Sequence, residues 1–191
     1  MERKRVLVGV SGASGAPLAV ELLRTLRELD GLETHLICSH WGRETLSCEA
    51  GISPEELAGL ADQCHDNRAL GAGPASGSFR ALGMVVIPCS MKTLAGIVTG
   101  YSDTLLLRAA DVTLKERRRL ILVPRECPLS TLHLRNLTAA SELGAVVVPP
   151  VPAYYNHPRT IEDVNRHIVA KVLELLGLEG PRTPEWKGLT P

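Results

Sequence analysis

The stretch Val8–Leu26, VGVSGASGAPLAVELLRTL, decides how the chain is read. A short apolar run ends at Val10, a turn of Gly, Ser and Ala follows, and from Ala16 apolar residues recur at helical spacing. Leu18, Leu22, Leu26 and Leu29 share one face of a predicted helix Ala16–Leu29, while Glu21, Arg24 and Glu28 share another. A strand, a small-residue turn and a helix form the opening unit of a parallel α/β sheet.

The same alternation continues outward. Arg5–Val10, Glu33–Cys38, Met84–Ile87, Leu120–Val123 and Ala145–Val148 read as strands. They are nearly unbroken in apolar residues, as parallel strands covered on both faces must be. A final helix, Ile161–Leu176, carries Ile161, Val164, Ile168, Val172 and Leu175 at helical spacing. Glu162 and Asp163 suit its positive end, and Gly177 suits its close. The expectation is an α/β protein with a three-layer, doubly wound parallel sheet, flavodoxin-like or Rossmann-like. Asp66–Arg80, DNRALGAGPASGSFR, reads as a long loop. Residues 1–177 form one domain and 178–191, broken by prolines, a C-terminal arm.

Bulk properties narrow the function. The chain has 191 residues, 45% apolar and 22% charged, with 21 basic and 21 acidic side chains. A neutral total speaks against a non-specific nucleic-acid or membrane-surface binder, which needs a basic excess. The apolar run in MERKRVLVGV is too short for a signal-peptide core, and no later run spans a bilayer, so a cytoplasmic protein is expected. Cys38, Cys48, Cys64, Cys89 and Cys127 form no CxxC pair. They are predicted to be small buried apolar residues, with no zinc site and no disulfide framework.

In an open α/β sheet ligands bind beyond the carboxyl ends of the strands. Gly12–Gly15 lies there, and small residues before a helix N-terminus suit a phosphate. The spacing is neither GxGxxG nor a Walker loop, so a plain strand-to-helix turn is the competing reading. Other strand ends add Ser39, then Ser90 and Thr93 within PCSMKTLAGIVTG, then Arg125 and Glu126 within VPRECP. Each serine alone is explained by helix capping. Together they suit a phosphorylated planar molecule such as FMN. Arg108 and Lys115 lie seven apart, on one face of a predicted helix. Arg117–Arg119 read as a solvated charged face. Tyr154 and Tyr155 stand out in a chain with three Tyr, two Trp and one Phe, and read otherwise as a loop anchor.

Six segments in order, SGASGAP, PASGSF, PCSMKTLAGI, RAADVTLKERR, LVPRECPLSTLHLRN and PPVPAYYNHP, carry a resemblance over Val6 to about Trp186. Together they resemble the flavin prenyltransferase family, formerly described as phenylacrylic acid or hydroxybenzoate decarboxylase small subunits. The resemblance implies a homododecamer that joins a dimethylallyl group from dimethylallyl phosphate to N5 and C6 of reduced FMN. The product, prenylated FMN, serves a partner decarboxylase. No metal, nucleic acid or membrane is implied. By motif, FMN is held by Gly12, Ala13, Ser14, Ser39, Ser90, Met91, Lys92, Thr93 and Arg125. The prenyl phosphate is held by Arg108, Lys115, Arg125, Tyr155 and Lys171, with Trp186 beside the allyl group. Glu49, Glu126, Lys115 and Tyr155 are the implied catalytic residues. Glu49 handles a flavin proton and Glu126 orients the basic ligands. The cations stabilise departing phosphate, and Tyr155 and Trp186 face a positive allyl fragment.

Lys171 departs from the arginine of many relatives, which keeps the charge but loses a two-pronged contact. It reads equally as an exposed helix charge. Two rivals remain: an FMN-dependent oxidative decarboxylase of cysteinyl substrates and a non-catalytic flavin carrier. The former has an early catalytic histidine and a PASANT-like loop. Here the loop is PASGSF and His35 falls inside a strand, leaving His40 as its support. The basic set speaks against the carrier. The prenyltransferase reading demands that Arg108, Lys115 and Tyr155 gather around a second anion above the flavin.

Overall fold

A computed structural model describes residues 3–181 and 188 of the chain. The strands are β1 (Lys4–Val10), β2 (Leu32–Cys38), β3 (Gln63–Asp66), β4 (Gly83–Cys89), β5 (Arg119–Pro124) and β6 (Val146–Val147). The helices are α1 (Ala16–Arg27), α2 (His40–Ala50), α3 (Pro54–Ala58), α4 (Met91–Thr99), α5 (Leu105–Lys115), α6 (Thr131–Glu142) and α7 (Ile161–Leu176). All strand pairs are parallel, in the order β3-β2-β1-β4-β5-β6. This is the Rossmann order, one of the two arrangements expected. The order reverses between β1 and β4, and the crevice beyond their carboxyl ends is where such sheets take ligands.

The alternation of strand side chains builds the three layers. Val6, Val8 and Val85 meet Leu22, Leu23 and Leu26 of α1 and Val169, Val172 and Leu173 of α7 on one face. Leu7, Met84 and Val86 meet Leu94 of α4, Leu105, Leu106 and Ala109 of α5 and Ala140 of α6 on the other. Every residue of β4 is buried, which accounts for its unbroken apolar run. Among the described residues no helix is long and apolar enough to cross a membrane.

Four expectations need correction. The sequence QCHD of β3 is mostly exposed and pairs only with β2, so this edge strand carries no apolar signal. The supposed loop Asp66–Arg80 therefore starts on a strand, and it holds a 3-10 turn at Gly73–Ala75. Helix α1 stops at Arg27 rather than Leu29. Only Cys38 and Cys89 are buried, whereas Cys48, Cys64 and Cys127 are exposed. Finally, Arg118 is not a solvated charge. Its side chain is 18% exposed and donates to the carbonyls of Phe79 and Gly77, both at 2.6 Å.

Candidate active site

Ser11 joins the two strands that flank the switch point. Its buried hydroxyl donates to the Pro88 carbonyl at 2.9 Å and accepts from Ser90 N at 2.8 Å. This holds the turn after β1 against the start of α4. Gly15 ends that turn at φ 113°, a left-handed conformation suited to glycine, and leaves α1 without a side-chain cap of its own. Glu49, from the last turn of α2, supplies one. Its Oε2 accepts from Gly15 N at 2.7 Å and Ala16 N at 3.0 Å. The amides assigned to a phosphate from the sequence thus hold a carboxylate. Burial alone would raise the Glu49 carboxyl, but hydrogen bonds from Gly15, Ser14 and Ala16 and the charge of Arg125 outweigh it. The group lies below its ordinary value.

Three other helices begin at the same rim, each with a capping hydroxyl. Ser39 accepts from Gly42 N at 3.0 Å, Ser90 from Thr93 N at 3.2 Å, and Thr104 from Leu107 N at 3.5 Å. The capping explanation of these serines is therefore realised. Asn67 adds a second cap to α5: its carbonyl accepts from Leu105 N at 2.7 Å and its Oδ1 from Leu106 N at 2.9 Å. The starts of α2, α4 and α5 line one cavity of about 400 Å³. Three positive helix ends aimed at one space favour an anion there.

A second cavity of about 460 Å³ adjoins it, sharing Gly12, Trp41 and Ser90. Ala13, Ser14, Glu49, Met91, Arg125 and Glu126 line this one. Arg125 Nε donates to the Ser14 carbonyl at 3.4 Å, and Glu126 Oε1 accepts from Cys127 N at 3.1 Å. One half of the crevice is lined by helix starts and the other by Arg125 with the carboxylates of Glu44, Glu49 and Glu126.

Comparison with known proteins gives this crevice its context. Residues 1–173 match the Flavoprotein family. The flavin prenyltransferase UbiX of Escherichia coli (strain K12) is 51% identical over 187 residues, covering 97% of this chain and 99% of that protein. The chain belongs to the flavin prenyltransferase family of flavoproteins. Among solved structures, a dodecameric FMN-dependent UbiX-like decarboxylase from Escherichia coli O157:H7 is 54% identical with TM-score 0.94, covering 96% of this chain and 100% of that one. AnUbiX (PadA1), in complex with FMN and dimethylallyl pyrophosphate, is 46% identical with TM-score 0.95, covering 98% and 100%. Full-length identity to prenyltransferases outweighs the single feature, His40, that favoured the cysteinyl decarboxylase. His40 does line the first cavity, against Trp41. His35 is buried on β2, where its Nδ1 lies 2.9 Å from His65 Nε2.

All nine residues assigned to FMN fall around the two cavities. Glu49 and Glu126 join them. The other assigned residues do not line this crevice within one chain. Arg108 and Lys115 lie along α5, Arg108 on the end of the Gly73–Ala75 turn and Lys115 on the loop that follows it. Tyr155 sits in a 3-10 turn at Tyr154–Asn156, its ring edge-on to His167 of α7. Lys171 of α7 pairs with Glu174 at 2.9 and 3.0 Å, an exposed helix contact. Trp186 lies outside the described residues. Among the described residues, none of Arg108, Lys115 and Tyr155, which the sequence reading gathers above the flavin, lines either of the two cavities. Four contributors went unread: Ser11, Asn67, Thr104 and Trp41. Only Trp41 left a trace, as a large aromatic two positions after a strand-end serine.

Proposed function

We propose that this protein joins a dimethylallyl group from dimethylallyl phosphate to reduced FMN, and that neighbouring copies complete each site. The observation that carries the reading is the convergence of three capped helix starts on one cavity, beside a cavity holding Glu49 and Arg125. The donor set fits FMN. Helix starts at Ser39 and Ser90 offer amides to a phosphate. Helix α5, whose first three amides are taken by Asn67 and Thr104, adds only the positive end of its dipole. Trp41 and Met91 offer flat or adaptable apolar surface to a ring. Reduced FMN supplies N5 and C6, the positions to which the dimethylallyl carbon skeleton becomes bonded.

The chain's own residues do the rest. Glu49 is held as a carboxylate, so at neutral pH it serves as a proton acceptor rather than a donor. Arg125 places positive charge where the carbon–oxygen bond of the donor breaks and its electron pair leaves with phosphate. Lys92 is the other basic residue of the crevice among those lining the two cavities apart from His40. A dianionic leaving group calls for more charge. In an assembly such as the dodecameric relative, a second copy supplies Arg108 and Lys115. Tyr155 and Lys171 approach from neighbours in the same reading.

Residues 1–177 serve as the flavin-binding domain and 178–191 as an arm, supported by α7 closing at Gly177 in the left-handed region. The product passes to a partner decarboxylase. Five free thiols and a need for reduced flavin suit the cytoplasm.

The direct test incubates the protein anaerobically with FMN, a reductant and either dimethylallyl phosphate or its pyrophosphate. Mass spectrometry should show flavin heavier by one dimethylallyl unit, faster with the monophosphate. Unchanged flavin with carbon dioxide released from a cysteinyl peptide would overturn the reading. Unchanged flavin with every substrate would favour a carrier.

A further inference from the structure

The loop that supports Arg108 and Lys115 is anchored at Gly77 and Phe79. The Phe79 ring stands edge-on to buried His35, 4.9 Å between centroids, and Arg5 lies 4.9 Å above the same ring. Arg118 grips the loop backbone with two hydrogen bonds of 2.6 Å, to the carbonyls of Gly77 and Phe79. Arg108 Nε then donates to the Ala75 carbonyl at 3.3 Å, and its Nη1 to Asp111 Oδ2 at 2.6 Å. Lys115 pairs with Glu116, and both lie directly against Gly77, where a Cβ would overlap them.

Two bonds to two different edges fix the plane of a guanidinium. The Arg108 donors that remain are held in that plane. Asp111 sits one helical turn beyond Arg108, so the pair is made within α5 and needs no other element. The Ala75 contact depends on the loop, and the loop depends on Arg118. An arginine left free would explore many rotamers and bind an anion less well, because it must be ordered at the moment of binding.

We infer that Asp111 and Arg118 are positioning residues for the prenyl donor, Asp111 by holding Arg108 and Arg118 by holding the loop on which Arg108 and Lys115 rest. This rests on the reading that those two cations bind the donor's phosphate. Neither positioning residue touches the donor, and each acts through Arg108 or Lys115.

The test uses the full-length, FMN-loaded oligomer under anaerobic conditions, with formation of prenylated flavin followed against dimethylallyl phosphate concentration. Asp111→Asn keeps the shape and removes the charge. It should raise KM for the donor about tenfold, with a smaller change in kcat and no change in FMN affinity. Asp111→Glu should recover part of the loss. Arg118→Lys replaces a two-carbonyl grip by a single point contact and should raise KM about threefold. Arg108→Ala is the reference, and in that background Asp111→Asn should add nothing. If Arg108→Ala raises KM while Asp111→Asn and Arg118→Lys leave it unchanged, the positioning inference is overturned and the phosphate site stands. A further rise on adding Asp111→Asn to Arg108→Ala overturns it as well. If Arg108→Ala itself leaves KM unchanged, the phosphate reading falls and takes the inference with it.

Discussion

The rim at the switch point and the flank formed by α5 with its supporting loop are built from different materials. The rim is made largely of backbone: amides at four helix starts, capped by Ser39, Ser90, Thr104, Asn67 and Glu49. The flank is made of long charged side chains, Arg108, Lys115 and Arg118, tied to carbonyls and carboxylates. A backbone site is completed by the fold that positions its strands. A side-chain site is completed by whatever approaches it, and here the two cations stay partly exposed, at 37% and 46%. The difference is what the proposed composite site requires: a cradle from one copy and a stiffened pair of charges from another.

The largest expected effect breaks that comparison if it fails. Glu49→Gln and Arg108→Ala should each lower prenyl transfer by about 10²–10³-fold when tested alone. If the two residues act from different copies, dissociating and reassembling the variants together creates some sites with both native groups. A random equal mixture should regain about a quarter of wild-type activity. The measurement is the anaerobic rate before and after mixing, with unmixed variants carried through the same treatment. Recovery of nothing would place both residues in one chain's site, and the flank would then have no role as a neighbour's contribution.

A second effect, about 1 kcal/mol, sharpens the description of the rim. Glu49 caps α1, so Glu49→Ala should cost that amount of stability at neutral pH, the usual cost of losing an N-cap. The carboxyl lies below its ordinary value in the folded chain, so the folded state binds fewer protons than the unfolded state. The contribution is then complete above the ordinary carboxylate value and fades as pH falls through the lowered one. Urea unfolding of wild type and Glu49→Ala should differ near pH 7 and converge in acid. A difference that persists at the acid end would mean the cap acts without its charge.

The same contrast governs what the sequence disclosed. Buried parallel strands announce themselves by unbroken apolar runs, so β1, β2, β4 and β5 were legible to within a residue or two, and α7 to its ends. The polar edge strand β3 had no such run, and its register with β2 follows only from tertiary pairing. In the rim, the serines at strand ends could be found because capping and ligand binding both place them there. Ser11 and Asn67 could not, since a buried hydroxyl bridging Pro88 and Ser90 and a cap reaching across 39 positions depend on distant contacts. Motif resemblance named the flank's cations but carried no information about which copy they serve. Arg118 was misread for a related reason: within a run of three arginines, composition cannot separate a solvated charge from one gripping a loop.

A third effect, read from single side chains, asks which half of the crevice the flavin ring covers. Cys48 lines the second cavity beside Glu49, whereas Cys64 lines two cavities farther along β3 with Cys38, Arg43 and His65. Both Cys48 and Cys64 are exposed, while burial pushes the Cys38 and Cys89 thiols up to about 12 and leaves them unreactive. Flavin seated between Trp41 and Arg125, as proposed, would shield Cys48. At FMN near ten times its dissociation constant, alkylation of Cys48 should slow about tenfold, with Cys64 little changed, as read from peptide masses. Protection of Cys64 in place of Cys48 would move the ring toward β3, away from Glu49. The carboxylate that caps α1 would then be a structural group alone, and the proton acceptor would have to be sought among His40, His65 and Asp66.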